Sequence, residues 1–268
     1  MRLQFKTMLV WGMTLPKHVE DARIIEQKSP IHGVYILTLH APNIAESAVP
    51  GQFVEVSVPK ESLLRRPLGI AEVSRSDGWI RLIYRSVGQG TMLLAMQKKG
   101  EQLSVLGPLG HGFHTALHRP LLVGGGMGLT PLLFFAADRA GEADVLMGGR
   151  NRAELFWEAL YAPYVHELFI TTDDGSYGSK GVVTSVLPYL LASGNYDGIA
   201  VCGPPIMMER VAAIAEEYDL YCEVSLERRM ACGLGACLSC SVDTQSGRRK
   251  VCKDGPVFSA REVYYEAR

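Results

Sequence analysis

The first half of the chain alternates apolar and polar residues in short segments, and a period of two is typical of β-strands. In QFVEVSV the three valines share one face, and in WIRLIYR the residues Ile80, Leu82 and Tyr84 share one face. Gly–Pro and Pro–Gly pairs separate such segments between residue 19 and about residue 117, as in AVPGQ and LGPLG. Short strands at this spacing predict a small antiparallel β-barrel.

One segment in this half is predicted to be helical. GTMLLAMQKKG has Thr91 near its start as a candidate N-cap. Lys98 and Lys99 then fall in the predicted last turn, where cations interact favourably with the helix dipole. We therefore expect one helix to interrupt the strands of the barrel.

The pattern changes after residue 118. LLVGGG reads as a buried strand that ends in glycines, and the apolar helix MGLTPLLFFAADRAG follows it. DVLMGG, ELFITTDD and GIAVCGPP are further strands, with helices between them. Strands that alternate with helices of this length predict a parallel α/β sheet, so we place a domain boundary near residue 118.

Composition and charge argue against three classes of protein: nucleic-acid-binding, membrane-spanning and secreted. The 268 residues carry a formal net charge of −1, which does not suggest a nucleic-acid partner. No apolar run is long enough for a membrane-spanning helix. The N-terminal segment MRLQFKTMLVWGMTL has two early cations and a short apolar stretch but no small-residue cleavage site. This favours a tail or first strand of a cytoplasmic protein over a secretory signal.

Four of the six cysteines crowd into one segment near the C-terminus. Their spacing is C-x4-C-x2-C-x11-C, formed by Cys232, Cys237, Cys240 and Cys252. This order is the plant-type pattern for a [2Fe–2S] cluster, and Gly233 and Gly235 would let the backbone fold closely around it. Structural zinc usually takes two C-x2-C pairs, and disulfides that stabilise a fold usually close longer loops. Zinc and disulfides remain weaker alternatives.

Two glycine clusters end strands of the predicted sheet. The first consists of Gly124, Gly125, Gly126 and Gly128. Amides and a helix dipole at such a turn can hold a pyrophosphate, although glycines there could also serve only a tight turn. The second cluster, CGPP, lies at the edge of the sheet where ligands of open α/β sheets bind. Cys202 in it could equally be a buried small apolar residue.

The barrel half has a polar constellation of its own. Its members are Arg65 and Arg66 before a proline, Tyr84 and Arg85 on a strand, and the helix start at Gly90 and Thr91. An arginine beside a helix N-terminus suits a second diphosphate, and a tyrosine suits a flat ring. Each of these residues also occurs without any ligand, so only the order in which they recur along the chain is evidence for a binding site.

That recurrence resembles the ferredoxin reductase superfamily of flavin and nicotinamide enzymes. The shared order is Arg-Pro-x, Tyr-Arg, Gly-Thr, GGGxGxTP and then CGPP. SLERRMACGLGACLSC and VCKDGPVF are similar to the electron transfer subunits of NAD-dependent dihydroorotate dehydrogenases, as are TDDGSYGSKGVVT and VLGPLGHGF. The resemblance covers residues 19 to 258, and the cysteine segment is its most specific part.

The resemblance implies an oxidoreductase subunit of pyrimidine biosynthesis that relays electrons. Its partner would be an FMN-containing dihydroorotate dehydrogenase catalytic subunit, in a heterotetramer, with NAD(H) as the soluble reactant. Electrons from that partner would pass through a [2Fe–2S] cluster and FAD to NAD. The implied fold is a β-barrel FAD domain at residues 1–117, an α/β NAD-binding domain at 118–222 and a small C-terminal [2Fe–2S] segment at 223–268. We expect a cytoplasmic protein without nucleic-acid or membrane partners.

The family's motifs map onto particular residues, and no residue is assigned a catalytic role. On the flavin side they match Arg66, Pro67, Leu68, Gly69, Ile83, Tyr84, Arg85, Gly90 and Thr91. On the nicotinamide nucleotide side they match Gly124, Gly125, Gly126, Gly128, Thr130, Cys202, Gly203 and Pro204. The implied cluster ligands are the four spaced cysteines. Gly69 is a departure, since that position is commonly a serine or threonine whose hydroxyl meets the flavin ring.

Three questions stay open from the sequence. A relative that passes electrons between NAD(P)H and ferredoxin or sulfur compounds shares most of the motifs, and a zinc-stabilised interaction module is a further alternative. Arg150 and Arg152 follow the second strand of the sheet, where arginine can favour NADP through its 2′-phosphate. The resemblance favours NAD, which is our hypothesis.

Overall fold

The first half of the chain is a closed six-stranded antiparallel barrel, as predicted. A computed structural model describes residues 16–58, 64–114 and 116–264, so the predicted N-terminal tail or strand lies outside the described residues. The barrel strands are β1 (His18–Lys28), β2 (Val34–His40), β3 (Phe53–Val56), β4 (Arg66–Ser74), β5 (Trp79–Arg85) and β6 (Gln102–Leu109). They close in the order β1-β2-β5-β4-β3-β6. Two short helices lie between strands, α1 (Pro42–Ser47) and α2 (Gln89–Ala95).

The alternation in the sequence does set the two faces of the barrel wall. Val54 and Val56 of β3 and Ile80, Leu82 and Tyr84 of β5 are all buried in one apolar core. Their neighbours in the strands face the other way, as the period of two requires. The barrel interior is therefore a packed core.

The start of helix α2 differs from the prediction. The helix begins at Gln89 with Gly88 as N-cap, so Thr91 is the third helical residue and not the N-cap. The Thr91 hydroxyl instead accepts hydrogen bonds from the amides of Val87 and Gly88, at 2.9 and 3.1 Å. Because a glycine has no side chain to cap with, the threonine one turn later satisfies these amides. Lys98 and Lys99 lie beyond the end of the helix.

The second half forms a seven-stranded sheet. Its strands are β7 (Pro120–Gly125), β8 (Asp144–Gly149), β9 (Leu168–Thr172), β10 (Ser179–Lys180), β11 (Gly198–Cys202), β12 (Tyr221–Ser225) and, after the hairpin strands β13 (Ser241–Thr244) and β14 (Gly247–Lys250), β15 (Val257–Ser259). The helices are α3 (Leu129–Arg139), α4 (Trp157–Tyr161), α5 (Val183–Ser193), α6 (Pro205–Glu217), α7 (Val251–Asp254) and α8 (Ala260–Val263). The order is β10-β9-β8-β7-β11-β12-β15, and every pair is parallel except β12 with β15.

The C-terminal segment is built into both halves. The chain leaves the sheet after β12, forms the cysteine loop and the β13–β14 hairpin, and returns as β15 beside β12. Phe53 and Leu109 of the barrel wall share one buried core with Cys240, Val242 and Cys252 of this segment. The division into three units stays a prediction, and β12 runs across its boundary at residue 222.

A membrane-spanning helix is absent from the part of the chain that the structure describes. None of the helices at residues 16–58, 64–114 and 116–264 is both long and apolar enough to cross a bilayer. The longest described helix, α6, has 13 residues, whereas a span needs about 20.

Candidate functional site

The four spaced cysteines converge as two pairs. The sulfurs of Cys232 and Cys237 lie 3.3 Å apart, and those of Cys240 and Cys252 also lie 3.3 Å apart. All are free thiols. Cys240 and Cys252 are buried, while Cys232 and Cys237 are partly exposed at the rim of the loop.

The loop backbone directs its amides at these sulfurs. The amides of Leu234 and Cys237 approach the Cys232 sulfur at 3.5 and 3.4 Å, and the Gly235 amide approaches the Cys252 sulfur at 3.2 Å. Gly233 and Gly235 have φ of +65° and +81°, which side chains rarely adopt, and so they permit this inward turn. Amide donors stabilise negative charge on sulfur, as a thiolate cluster requires.

The pairing of the thiols suits two metal ions better than one. Within residues 16–58, 64–114 and 116–264, no three His, Cys, Asp or Glu side chains converge on a point that a single metal ion could occupy. A structural zinc needs four ligands around one point. Hydrogen bonding with Ser239 and with Cys232 lowers the pKa of Cys237 to about 6, which favours its thiolate. One pair of thiolates for each iron fits a [2Fe–2S] cluster.

Arg66 and the start of α2 form a cationic cradle on the barrel. An added Cβ at Gly90 would fall within the Arg66 guanidinium, so the missing side chain lets the arginine lie against the first turn of the helix. Arg66 also donates to the Leu64 carbonyl at 2.6 Å. A guanidinium beside free helix amides is suited to a diphosphate, and Thr91 orders the turn that presents those amides.

Arg65 does not join this cradle. Its guanidinium donates to the Ser104 carbonyl at 2.7 Å, to the Ser104 hydroxyl at 3.0 Å and to the Glu55 carbonyl at 3.3 Å. These contacts tie the start of β4 to β3 and β6. Arg65 is therefore a structural residue of the barrel wall.

Gly69 and Ile83 meet the start of α3 where the barrel packs against the sheet. A Cβ on Gly69 would lie 3.6 Å from Cγ2 of Thr130, and the Thr130 hydroxyl donates to the Ile83 carbonyl at 3.4 Å. Pro67 and Leu68 continue the same strand, with Leu68 buried in the barrel core. Gly69 and Ile83 therefore lie together where the barrel meets α3, whereas Leu68 faces the barrel core, and a flavin groove at this junction stays a prediction.

The position of Tyr84 corrects the expectation that its ring suits a flat ligand. The side chain is 3% exposed and stacks on Tyr35 inside the barrel, with ring centroids 5.5 Å apart. Its hydroxyl donates to Gln27 at 3.2 Å. Tyr84 points inward because it shares the apolar face of β5 with Ile80 and Leu82, so only its backbone is available to the predicted flavin groove.

The two glycine turns of the sheet lie against each other. An added Cβ at Gly128 would meet the Cys202 carbonyl, so glycine there permits the contact between the turns after β7 and β11. Cys202 is 1% exposed and its thiol donates to the Ser225 carbonyl at 3.4 Å. Burial raises the pKa of this thiol, so Cys202 is a small buried residue, which is the alternative that the sequence left open.

The remaining residues predicted for the nucleotide side lie at the same edge of the sheet. They are Gly124 and Gly125 at the end of β7, Gly126 in the turn, Thr130 in α3, and Gly203 and Pro204 before α6. Gly124 is registered with Cys202 across the β7–β11 pair, which fixes the two turns side by side.

Arg150 and Arg152, which follow β8, each contact a side chain that the sequence analysis did not predict as a partner. Arg150 is bound by Glu154, with Nε donating to Oε1 at 2.9 Å. Hydrogen bonds from Arg150, and more weakly the charge of Arg85, lower the pKa of Glu154 and keep it ionised. The Arg152 guanidinium lies 4.8 Å from the centre of the Tyr177 ring. The spacing of Arg150 and Glu154, four residues apart, could have revealed the pair.

Glu55 was also missed. It is 0% exposed on strand β3, and neither of its carboxylate oxygens has a hydrogen-bond partner in the part of the chain that the structure describes. Burial raises its pKa to about 7. The signal in the sequence was a single acid within the apolar strand QFVEVSV.

Known proteins resemble this chain over nearly its whole length. The family model described as the iron–sulfur cluster binding domain of dihydroorotate dehydrogenase B matches residues 227–264. The electron transfer subunit of dihydroorotate dehydrogenase B (NAD(+)) from Desulforamulus reducens is 38% identical over 92% of this chain and 99% of its own. That of Geobacillus thermodenitrificans is 39% identical over 91% of this chain and 98% of its own.

A solved structure shows the same architecture. The NADH-dependent reduced ferredoxin-NADP oxidoreductase studied for flavin-based electron bifurcation matches with a TM-score of 0.82 at 30% identity. The match covers 95% of this chain and 91% of that one. The barrel, the sheet and the cysteine segment therefore form a ferredoxin-reductase-like fold with an added iron–sulfur segment.

Proposed function

The chain belongs to the family of dihydroorotate dehydrogenase B electron transfer subunits, and we therefore propose that it carries electrons from a dihydroorotate dehydrogenase catalytic subunit to NAD in pyrimidine biosynthesis. The observation that carries the proposal is the pairing of four cysteine thiols under inward-directed amides. When bound, a [2Fe–2S] cluster supplies one-electron transfer, and FAD combines single electrons into the two that NAD accepts as a hydride.

The chain's own residues bind and orient these groups. Cys232 and Cys237 would hold one iron, and Cys240 and Cys252 the other. The barrel would hold FAD, with Arg66 and the first turn of α2 on its diphosphate and with Gly69 and Ile83 at the groove between barrel and sheet. The turns after β7 and β11 would hold NAD, whose pyrophosphate suits the amides at the start of α3.

An apolar rim beside the cluster loop supports the proposed partner. Leu234 and Leu238 are 44% and 67% exposed, and they flank Cys237 in the loop. Large apolar side chains grouped around a redox centre suit a protein interface that excludes water. We propose that the FMN-containing catalytic subunit covers this rim, while the heterotetrameric assembly stays a prediction.

Reconstitution tests the proposal. The chain, expressed with the dihydroorotate dehydrogenase catalytic subunit from the same genome, should copurify with it and show absorption from both flavin and the iron–sulfur cluster. The complex should reduce NAD when dihydroorotate is added, and the catalytic subunit alone should not. A coloured complex that fails to reduce NAD with dihydroorotate would contradict the proposed function.

A second candidate follows from the structural match. The matched oxidoreductase is described as acting on reduced ferredoxin and NADP, and its fold and size are close to those of this chain. A chain of that kind would oxidise reduced ferredoxin in the absence of any dihydroorotate dehydrogenase. Comparing reduced ferredoxin with dihydroorotate as electron donor, under the same conditions, decides between the two candidates.

A further inference from the structure

Glu55 lies in the wall between the barrel and the cysteine loop. On β3, Val54 and Val56 point into the barrel core, so Glu55 points to the opposite face, where Phe53 also lies. Phe53 packs in the buried core that includes Cys240 and Cys252. The carboxyl of Glu55 is therefore enclosed where the barrel meets the cluster segment.

The side chain lies directly under the loop that carries the cysteines. An added Cβ at Gly233 would lie 2.7 Å from Cγ of Glu55, 3.0 Å from its Oε1 and 3.1 Å from Cδ1 of Leu109. Gly233 follows Cys232 in the chain, and its bare backbone is what allows the loop to rest on the barrel wall. Only one layer of side chains separates the loop from β3.

Among residues 16–58, 64–114 and 116–264, no side chain forms an ion pair or hydrogen bond with this carboxyl. Arg65 uses its guanidinium on backbone and hydroxyl oxygens, and it reaches only the main-chain carbonyl of Glu55. Burial is the main cause of the raised pKa of Glu55, while the charges of Arg65 and Arg66 lower it and that of Cys237 raises it. Above that pKa the wall holds a negative charge to which no described residue donates a hydrogen bond.

Glu72 provides the contrast. It is also buried in the barrel, at 5% exposure, but it forms an ion pair with Arg81 and accepts a hydrogen bond from Tyr164 at 2.7 Å. A buried acid is ordinarily partnered in this way, because desolvation of a lone carboxylate is unfavourable. Glu55 lacks such a partner among the described residues, and its carboxyl instead lies against the cysteine loop at Gly233.

We propose that Glu55 tunes the electron affinity of the iron–sulfur site, by placing a carboxylate beneath the cysteine loop so that the cluster is harder to reduce and passes its electron more readily to the flavin. The physical reason is that a cluster gains negative charge on reduction, and a nearby negative charge in a poorly solvated wall opposes that gain. The inference rests on the proposed cluster assignment and adds to it a residue that is not a ligand.

A redox titration of the full-length, cofactor-loaded protein tests the role of Glu55. Glu55→Gln removes the charge at nearly constant volume, and Glu55→Met replaces the carboxyl by an apolar group. The midpoint potential of the cluster would be followed by electron paramagnetic resonance at pH 8.5, above the raised pKa of Glu55 of about 7. Glu72→Gln is the matched control, because it removes a buried acid elsewhere in the same barrel.

Both Glu55 variants should make the cluster easier to reduce, with a rise of about tenfold in the equilibrium constant for reduction, which is about 59 mV for one electron. Glu72→Gln should leave that potential unchanged. An unshifted potential in Glu55→Gln and Glu55→Met would overturn the inference, and so would an equal shift in Glu72→Gln. If neither Glu55 variant retains a cluster, Glu55 is a structural support of the loop and the inference also fails. A wild-type protein without cluster absorption would instead refute the proposed function.

Discussion

The four cysteines of the proposed cluster lie between residues 232 and 252 and are shaped by their own backbone, whereas the proposed flavin groove draws on β4, β5 and the starts of α2 and α3. The cluster loop orders its ligands through amides a few residues away in the chain. The groove exists only after the barrel has closed and packed against the sheet. The cysteine loop is thus a local site, and the proposed groove is assembled from distant segments. We therefore expect single substitutions to change cofactor binding differently at the two sites.

The largest effect is expected at the cluster. Cys237→Ser should abolish the visible absorption of the iron–sulfur site, because a hard alkoxide is a poor substitute for thiolate on iron. FAD should stay bound, since its proposed contacts lie on the barrel and α3, and NADH should still reduce it. Absorption spectra before and after addition of NADH measure both properties. Loss of flavin together with the cluster would show that the two sites are not separable.

Cys222 supplies the matched control. It is buried in β12, 6% exposed, and its spacing places it outside the four ligands. Cys222→Ser should keep the cluster absorption, even if the buried hydroxyl lowers thermal stability. A colourless Cys222→Ser protein that is otherwise folded would overturn the assignment of the four ligands.

The next largest effect is expected on FAD affinity, at the cradle that Arg66 forms with the start of α2. Arg66→Gln should weaken FAD binding by roughly 10- to 100-fold, because a hydrogen bond to a charged group contributes about 1.5–3 kcal/mol. Titration of the apoprotein with FAD measures the dissociation constant. Arg23→Gln, an exposed site on β1, is the control and should bind FAD as the wild type does. If Arg66→Gln bound FAD as tightly as the wild type, the proposal that the FAD diphosphate lies in this cradle would be wrong.

A smaller effect is expected at the adenine end of the nucleotide site. Glu154→Gln would release Arg150 from its ion pair and leave a guanidinium where a 2′-phosphate can sit. The ratio of kcat/KM for NADPH over NADH should rise severalfold in a dye-reduction assay. Glu142→Gln, which removes an exposed partner of Arg139, should leave the ratio unchanged. A wild-type preference for NADPH would contradict the NAD hypothesis from the outset.

The smallest effect should come from the groove itself. Gly69→Ser is sterically acceptable, because its Cβ would be in ordinary contact with Thr130, 3.6 Å from Cγ2. A neutral hydrogen bond contributes about 0.5–1.5 kcal/mol net, and roughly 30 mV corresponds to 1.4 kcal/mol for two electrons. The FAD midpoint potential should therefore move by about 10–30 mV. An unchanged potential with lowered thermal stability would place the flavin ring away from Gly69.

Sequence reasoning succeeded where a pattern is enforced by local backbone or by strand alternation. The spacing of the cysteines identified the four residues that converge, and the alternation in WIRLIYR identified the apolar face of β5. The same alternation also shows why the role given to the Tyr84 ring was wrong, because a residue on the inner face of a closed barrel cannot also face a groove. The prediction that Thr91 is the N-cap was wrong by three residues. Gly88 is the N-cap and has no side chain, so the Thr91 hydroxyl accepts the hydrogen bonds of the Val87 and Gly88 amides.

Features that depend on residues far apart in the chain could not be predicted. Glu55 and Gly233 meet only because the C-terminal loop folds back onto the barrel wall. Gly90 looks like a weak helix residue in sequence, and its value is the room that it gives to Arg66. The pairing of Glu154 with Arg150 could have been predicted from their spacing. Its proposed effect on NADP binding could not, because that depends on where the turn after β8 places Arg150.

The return of the chain as β15 has a consequence for biosynthesis. Within the described residues, β15 is the edge strand of the sheet and pairs with β12 alone. The barrel and all parallel strands are therefore complete before the cysteines leave the ribosome, and N-terminal units generally fold first during synthesis. We therefore expect iron and sulfide to enter after the barrel and the parallel strands have formed, at the loop that β12 and β15 anchor at its two ends. Iron starvation should therefore leave a folded, yellow protein whose FAD is still reduced by NADH, but which transfers no electrons from the catalytic subunit until the cluster is inserted.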